Sequence, residues 1–173
     1  FSDALRIGCE VYHSLKSVMI RLYGKSAINV GDEGGFAPPS KTVGEVVEAL
    51  CMAVRDAGYV VGEDVVFALD SAATEFYDLK REVYRVDGKE LSCESMIDYY
   101  CDLVERYPIK SLEDPLYEDD FQGFASLTER VSRNVQVVGD GIFVTNVERL
   151  KRGMEVGAGN ALLLKINQIG TLT

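Results

Sequence analysis

Four short apolar runs, each delivering an ionisable residue at its end, constrain this chain more than any other feature. VVFALD (65–70) ends on Asp70, and IKSLED (109–114) brings Glu113 to its end. VQVVGD (135–140) ends on Asp140 and ALLLK (161–165) on Lys165. Runs this short and apolar read as buried strands. Between them the spacing turns helical. Ser92 caps a helix carrying Met96, Ile97, Tyr100, Leu103 and Val104 that Pro108 closes, a short helix covers 124–132, and another starts at Asn146. Strand and helix in alternation predict right-handed βαβ units and a mainly parallel sheet. The weak alternation within the strands predicts a sheet covered on both faces. EFYD and EVYRVDGK, after Asp70, interrupt the order and read as a small hairpin inserted in one βα loop.

Upstream, residues 3–23 predict a helix with Ser2 as N-cap, Gly24 as stop, and a stripe of Leu5, Cys9, Tyr12, Leu15, Met19 and Leu22. A short first strand at Ala27–Val30 leads into the glycine-rich loop GDEGGFAPP (31–39). Thr42 and Glu45 form a capping box for a second helix, bearing Val43, Val46, Val47, Leu50 and Val54 and ending at Gly58. The 173 residues contain no low-complexity linker or repeat, and no run long enough for a membrane span. The absence of a signal-peptide pattern and the start at Phe1 without methionine lead to the expectation that the natural N-terminus is missing.

Charge narrows the partner class. With 28 acids against 18 bases, the net charge of -10 argues against nucleic acid. A small anionic substrate stays compatible, since local cations reverse the sign within one cleft. Cys9, Cys51, Cys93 and Cys101 show no CxxC spacing, and reduced core thiols suit a cytoplasmic setting. His13, the single histidine, lies in a helical stretch and cannot build a histidine-rich metal site.

The C-terminal edge of a parallel α/β sheet is where such folds keep their active sites. One strand-end Asp is more often a cap or turn residue, a strand-end Lys can snorkel to solvent, and Asp32 and Glu33 between glycines fit an ordinary turn. Recurrence on successive strands is what predicts a common cavity. Three converging carboxylates, Asp70, Glu113 and Asp140, need a cation, and all-oxygen ligands favour Mg2+. A lysine beside such a site, partly desolvated, is expected to have a lowered pKa and to serve as a base. Metal plus lysine suits proton abstraction next to a carboxylate, because the metal stabilises the resulting enediolate. Glu33, on its glycine-bearing loop, could protonate a departing hydroxide if held as the acid. The loop has no Walker lysine and no GxGxxG, so nucleotide binding is unsupported.

NVGDEGGFAPP, ALDSAATEFYD, YPIKSLEDP, VVGDGIFVTN and LLLKINQIGTLT together resemble the enolase family, and more its bacterial form, in the right order and over essentially the whole chain. The resemblance implies an α/β fold: a (β/α)8 TIM-like barrel of the enolase type, opening ββαα. Only its middle strands and helices would be present. Residues 1–173 would be part of the C-terminal barrel domain, with the N-terminal α+β domain and the final strands absent. It implies a hydro-lyase (phosphopyruvate hydratase) of glycolysis that converts 2-phosphoglycerate to phosphoenolpyruvate. Lys165 would be the proton acceptor and Glu33 the proton donor. Asp70, Glu113 and Asp140 would bind two Mg2+, with Glu113, Asp140 and Lys165 also against substrate. It further implies a homo-oligomer, dimer or octamer, in the cytoplasm and also at the cell surface.

Two departures accompany the resemblance. Asp140 is followed by Gly141, where the family carries a second acid, which is expected to weaken the electrostatics near Lys165. A closed barrel needs ~250 residues, so the chain alone is expected to be inactive and to expose unpaired sheet edges. The alternatives are another enolase-superfamily acid-sugar dehydratase or racemase, against which GDEGGFAPP and KINQIGT argue, and a non-catalytic surface-binding or structural protein.

Overall fold

In the computed structural model, residues 1–171 are described; Leu172 and Thr173, the end of the LLLKINQIGTLT segment, lie outside the described residues. The chain divides into two compact units, Phe1–Val66 and Phe67–Thr173.

The first unit pairs two helices. α1 (Ser2–Tyr23) begins one residue earlier than the sequence suggests, with Phe1 in the N-cap position and no side chain capping it. Gly24, at φ +84°, ends it in a conformation that glycine tolerates. Of the predicted stripe, Met19 alone is buried. Val18 and Met19 join Ala27, Ala49 and Ala53 in the core, while Leu5 and Leu22 are exposed. α2 (Val43–Asp56) starts as expected, with Thr42 Oγ1 accepting from the Glu45 N–H at 3.2 Å. The Glu45 carboxylate reaches back to the Lys41 N–H at 2.9 Å rather than to that of Thr42. Ala27–Val30 is not a strand. A 3-10 turn covers Lys25–Ile28, and Val30 makes one antiparallel bridge to Phe36 because the chain doubles back within a few residues.

The second unit carries the parallel sheet. Strands β1 (Phe67–Asp70), β5 (Ile109–Glu113), β6 (Gln136–Gly139) and β7 (Ala161–Leu162) are hydrogen-bonded in that spatial order, all parallel. Between β1 and β5 lie an antiparallel meander, β2 (Tyr77–Asp78), β3 (Val83–Val86) and β4 (Lys89–Leu91), and α3 (Cys93–Arg106). α4 (Phe121–Val131) links β5 to β6, and α5 (Val147–Val156) links β6 to β7. Each new parallel strand adds to the same edge without reversal. Right-handed crossovers in such an order put every connecting helix on one face, the winding of a barrel rather than of a doubly wound sheet. The helices supply the cover on one face, and in a barrel the other face is covered by the strands opposite. Phe67, Ile109, Leu112 and Val137, which share a face by register, are buried, while Ala68 and Gln136 on the other are exposed.

Helix starts in this unit follow local chemistry. Ser92 Oγ accepts from Ser95 N–H, Asp120 Oδ1 from Gly123 N–H, and Asn146 Oδ1 from the Glu148 and Arg149 N–H groups. α4 begins at Phe121, earlier than the 124 expected, because Asp120 supplies that cap. β7 ends at Leu162, short of the expected 165. One further bond, Leu163 N–H to Gly139 O at 3.1 Å, carries the chain past the end of β6.

Candidate active site

The strand ends bring their side chains into partial convergence. Asp70 and Glu113 are direct register partners across β1 and β5. Asp140 follows β6, and Lys165 lies beyond β7, where its ammonium donates to Asp140 Oδ2 at 2.6 Å. The other Asp140 oxygen, Oδ1, is buried and has no hydrogen-bond partner. A cleft of about 210 Å³ at this edge is walled by Thr74, Asp114, Glu118, Asp140, Gly141 and Gln168 among others. Asp70, Glu113 and Lys165 are not part of that lining. A larger cavity, about 670 Å³, lies between α3 and α4 at the N-terminal end of β5, away from every strand-end group.

Glu33 belongs to the first unit and sits exposed in the turn between Val30 and Phe36. That turn is fixed from below: Tyr12 Oη donates to Gly34 O at 2.9 Å, and the Tyr12 and Phe36 rings stack at 4.7 Å. Gly34, at φ +81°, allows the tight reversal.

Backbone strain gathers at the same edge of the sheet. Ala72 (φ +44°), Asp114 (+40°), Val144 (+41°) and Thr145 (+54°) all hold left-handed conformations just beyond β1, β5 and β6. For β-branched Val144 and Thr145 this is costly, and such strain concentrates at functional sites. It turns the Thr145 hydroxyl so that it accepts from the Lys165 N–H at 3.1 Å and donates to Gln168 Oε1 at 2.7 Å. Asp114 accepts from two backbone N–H groups, Asp140 at 3.0 Å and Gly141 at 2.7 Å. Neither Asp114 nor Thr145 emerged from the sequence. Asp114 stands in the shadow of Glu113, and no local pattern announces a left-handed threonine.

The charges of the strand ends act on one another directly. With no cation between them, the hydrogen bond to Asp140 raises the Lys165 pKa, opposite to the direction expected beside an occupied site, and outweighs desolvation because the side chain is 43% exposed. Glu113 is pushed up first by burial and then by the negative charges of Asp70 and Asp140. Burial also raises Asp114, against the Gly141 and Asp140 N–H groups that pull it down.

The donor set suits a hard divalent ion: every strand-end ligand candidate is a carboxylate, repulsion among them is visible at Glu113, and a buried Asp140 oxygen lacks a partner. Among the described residues no three His, Cys, Asp or Glu side chains are gathered closely enough to hold one ion as they stand. The positive charge beside Asp140 is that of Lys165.

Residues 1–173 match the family model described as "Enolase, C-terminal TIM barrel domain". The chain belongs to the enolase family. It is 57% identical over 172 residues to a protein named enolase from Methanocaldococcus jannaschii, covering 99% of this chain and 39% of that protein. Enolases from Methanopyrus kandleri and Thermococcus gammatolerans are 54% and 51% identical, each over all of this chain and 40% of their own length. The chain thus spans about two fifths of the curated enolases it matches. The sequential parallel strands are therefore part of an enolase-type TIM barrel, with the meander after β1 inserted in a βα loop.

Proposed function

We propose that the natural protein containing this chain is a phosphopyruvate hydratase that interconverts 2-phosphoglycerate and phosphoenolpyruvate in glycolysis. The observation that carries this reading is the Lys165–Asp140 pair at 2.6 Å beside the partnerless Asp140 oxygen. It puts a potential base next to a potential metal ligand, on a chain whose relatives are named enolase.

Asp70, Glu113 and Asp140 would hold Mg2+, two ions per site by family likeness. When bound, magnesium supplies positive charge that stabilises the developing enediolate. While Asp140 accepts from the ammonium, Lys165 stays protonated. With the Asp140 oxygens serving a cation, Lys165 would lose the bond that favours its charged form and release its proton to solvent, and the neutral amine would then take the C2 proton of 2-phosphoglycerate. The C2 electron pair then forms the C2–C3 double bond as the C3–O bond breaks. Glu33 gives its proton to the leaving hydroxide, which departs as water. Glu113, Asp140 and Lys165 would also face the substrate.

The rest of the barrel, an N-terminal α+β domain and a homo-oligomeric assembly, dimer or octamer, belong to the same proposal. It places the enzyme in the cytoplasm. No helix among the described residues is long and apolar enough to cross a membrane.

Supplying the natural protein with 2-phosphoglycerate and Mg2+ should yield phosphoenolpyruvate, and a chelator should stop it. Lys165→Met should lower kcat by several orders of magnitude, since the base for the first step is gone. Turnover of a sugar acid with 2-phosphoglycerate ignored would replace this reading with the dehydratase or racemase alternative.

A further inference from the structure

Asp114 is held more tightly than a turn residue needs to be. Its N–H donates to Val138 O at 3.1 Å, and its own carbonyl accepts from Ala73 N–H at 3.0 Å. Both backbone groups are therefore engaged while φ is +40°, a conformation that aspartate tolerates better than most residues. The kink carries the side chain across to β6, where its two oxygens receive separate bonds from Asp140 and Gly141 N–H. A Cβ at position 141 would stand 3.0 Å from Asp114 Oδ2 and 3.5 Å from Glu118 Oε2. Glycine there leaves room for the 2.7 Å bond, which gives the family departure at Gly141 a structural consequence.

We propose that Asp114 is a positioning residue for Asp140. By gripping the N–H groups of the two peptides that flank the Asp140 Cα, it fixes the direction in which the Asp140 carboxylate leaves β6. One oxygen then meets Lys165 and the other stays buried and free for a cation. The inference rests on reading Asp140 as a metal ligand. Asp114 touches neither metal nor substrate in this role; it acts through Asp140. Partners of this kind are worth about 10- to 100-fold in metal affinity or activity.

The test uses the natural full-length protein, with Mn2+ as probe. In Asp114→Asn, one carboxylate oxygen becomes an amide NH2 that faces a backbone N–H, so one of the two bonds is lost. Mn2+ affinity measured by electron paramagnetic resonance should fall ~10- to 100-fold. Amide hydrogen exchange at Asp140 or Gly141 should quicken, and kcat/KM for 2-phosphoglycerate should fall with the metal affinity. The metal-free protein should stay folded, with its melting temperature lowered by no more than the loss of one hydrogen bond accounts for. Unchanged Mn2+ affinity in a folded Asp114→Asn protein overturns the proposal, as does a loss of affinity wholly matched by unfolding. Weakened Mn2+ binding in a protein that never turns over 2-phosphoglycerate keeps Asp114 in its role and removes the proposed reaction instead. If Asp114→Asn does not fold, Gly141→Ala decides: its methyl group presses on Asp114 Oδ2, and it should weaken Mn2+ in the same direction by a smaller factor. No effect of Gly141→Ala then counts against the proposal.

Discussion

At the scale of single residues, the strand ends are arranged for charge at the expense of stability. Glu113 is the clearest case, pushed up by burial and by Asp70 and Asp140. A carboxyl group whose folded pKa is raised costs the fold nothing well below that value. The cost appears as pH rises through the titration and is fully present above it. Glu113→Gln, neutral at every pH, should therefore melt higher than the natural protein at pH 8 in chelator. The advantage should shrink towards pH 4, as the wild-type carboxyl becomes protonated. Added Mg2+ should reverse the order, because only the carboxylate gains from the ion. Calorimetric melts across pH, with and without Mg2+, check all three statements. Glu113 and Asp140 were legible in the sequence because each ends an apolar run on a parallel strand. Asp114 and Thr145 were not, since their partners are 20 to 27 residues away and their conformations carry no local signature.

At the scale of elements, the meander between β1 and α3 is a brace for the loop that follows β5. Tyr84 of β3 is fully buried, and its hydroxyl accepts from Tyr117 N–H at 2.9 Å. The Tyr77 ring stacks on Tyr117 at 4.8 Å, and Thr74 Oγ1 accepts from Glu118 N–H at 3.1 Å. From the other side, Arg149 of α5 donates to Glu118 O at 2.6 Å and to Asp119 at 2.9 Å. Segment 114–119, which carries Asp114 and Glu118 into the cleft, is thus held by elements on both flanks. Tyr84→Phe keeps the ring but leaves the Tyr117 N–H without its acceptor, and should cost ~1–3 kcal/mol in urea unfolding. No change in the unfolding midpoint would mean that ring packing alone holds the loop. The sequence announced this excursion as an insertion through its β-branched and aromatic residues. What it braces was not legible, because Tyr84 and Tyr117 are 33 residues apart.

At the scale of the whole molecule, four parallel strands in sequential order make part of a barrel rather than a closed one. Among the described residues β1 and β7 each have one paired side, the kind of edge that invites association. Residues 1–173 produced alone should give no phosphoenolpyruvate from 2-phosphoglycerate and Mg2+, and should elute as associated species in size-exclusion chromatography. Turnover by a monodisperse sample would show that these residues suffice for the chemistry.

The sequence by itself determined the alternation of strand and helix, the parallel sheet, most helix caps and the family. Each of these is written in residue spacing or in a motif a few residues long. Only the tertiary structure decided that the helices cover one face, that Lys165 is exposed and paired with Asp140, and that Asp114 grips the chain beside it. Those outcomes depend on which distant groups come within hydrogen-bonding reach. That is set by strand order, by register, and by the left-handed turns at the strand ends.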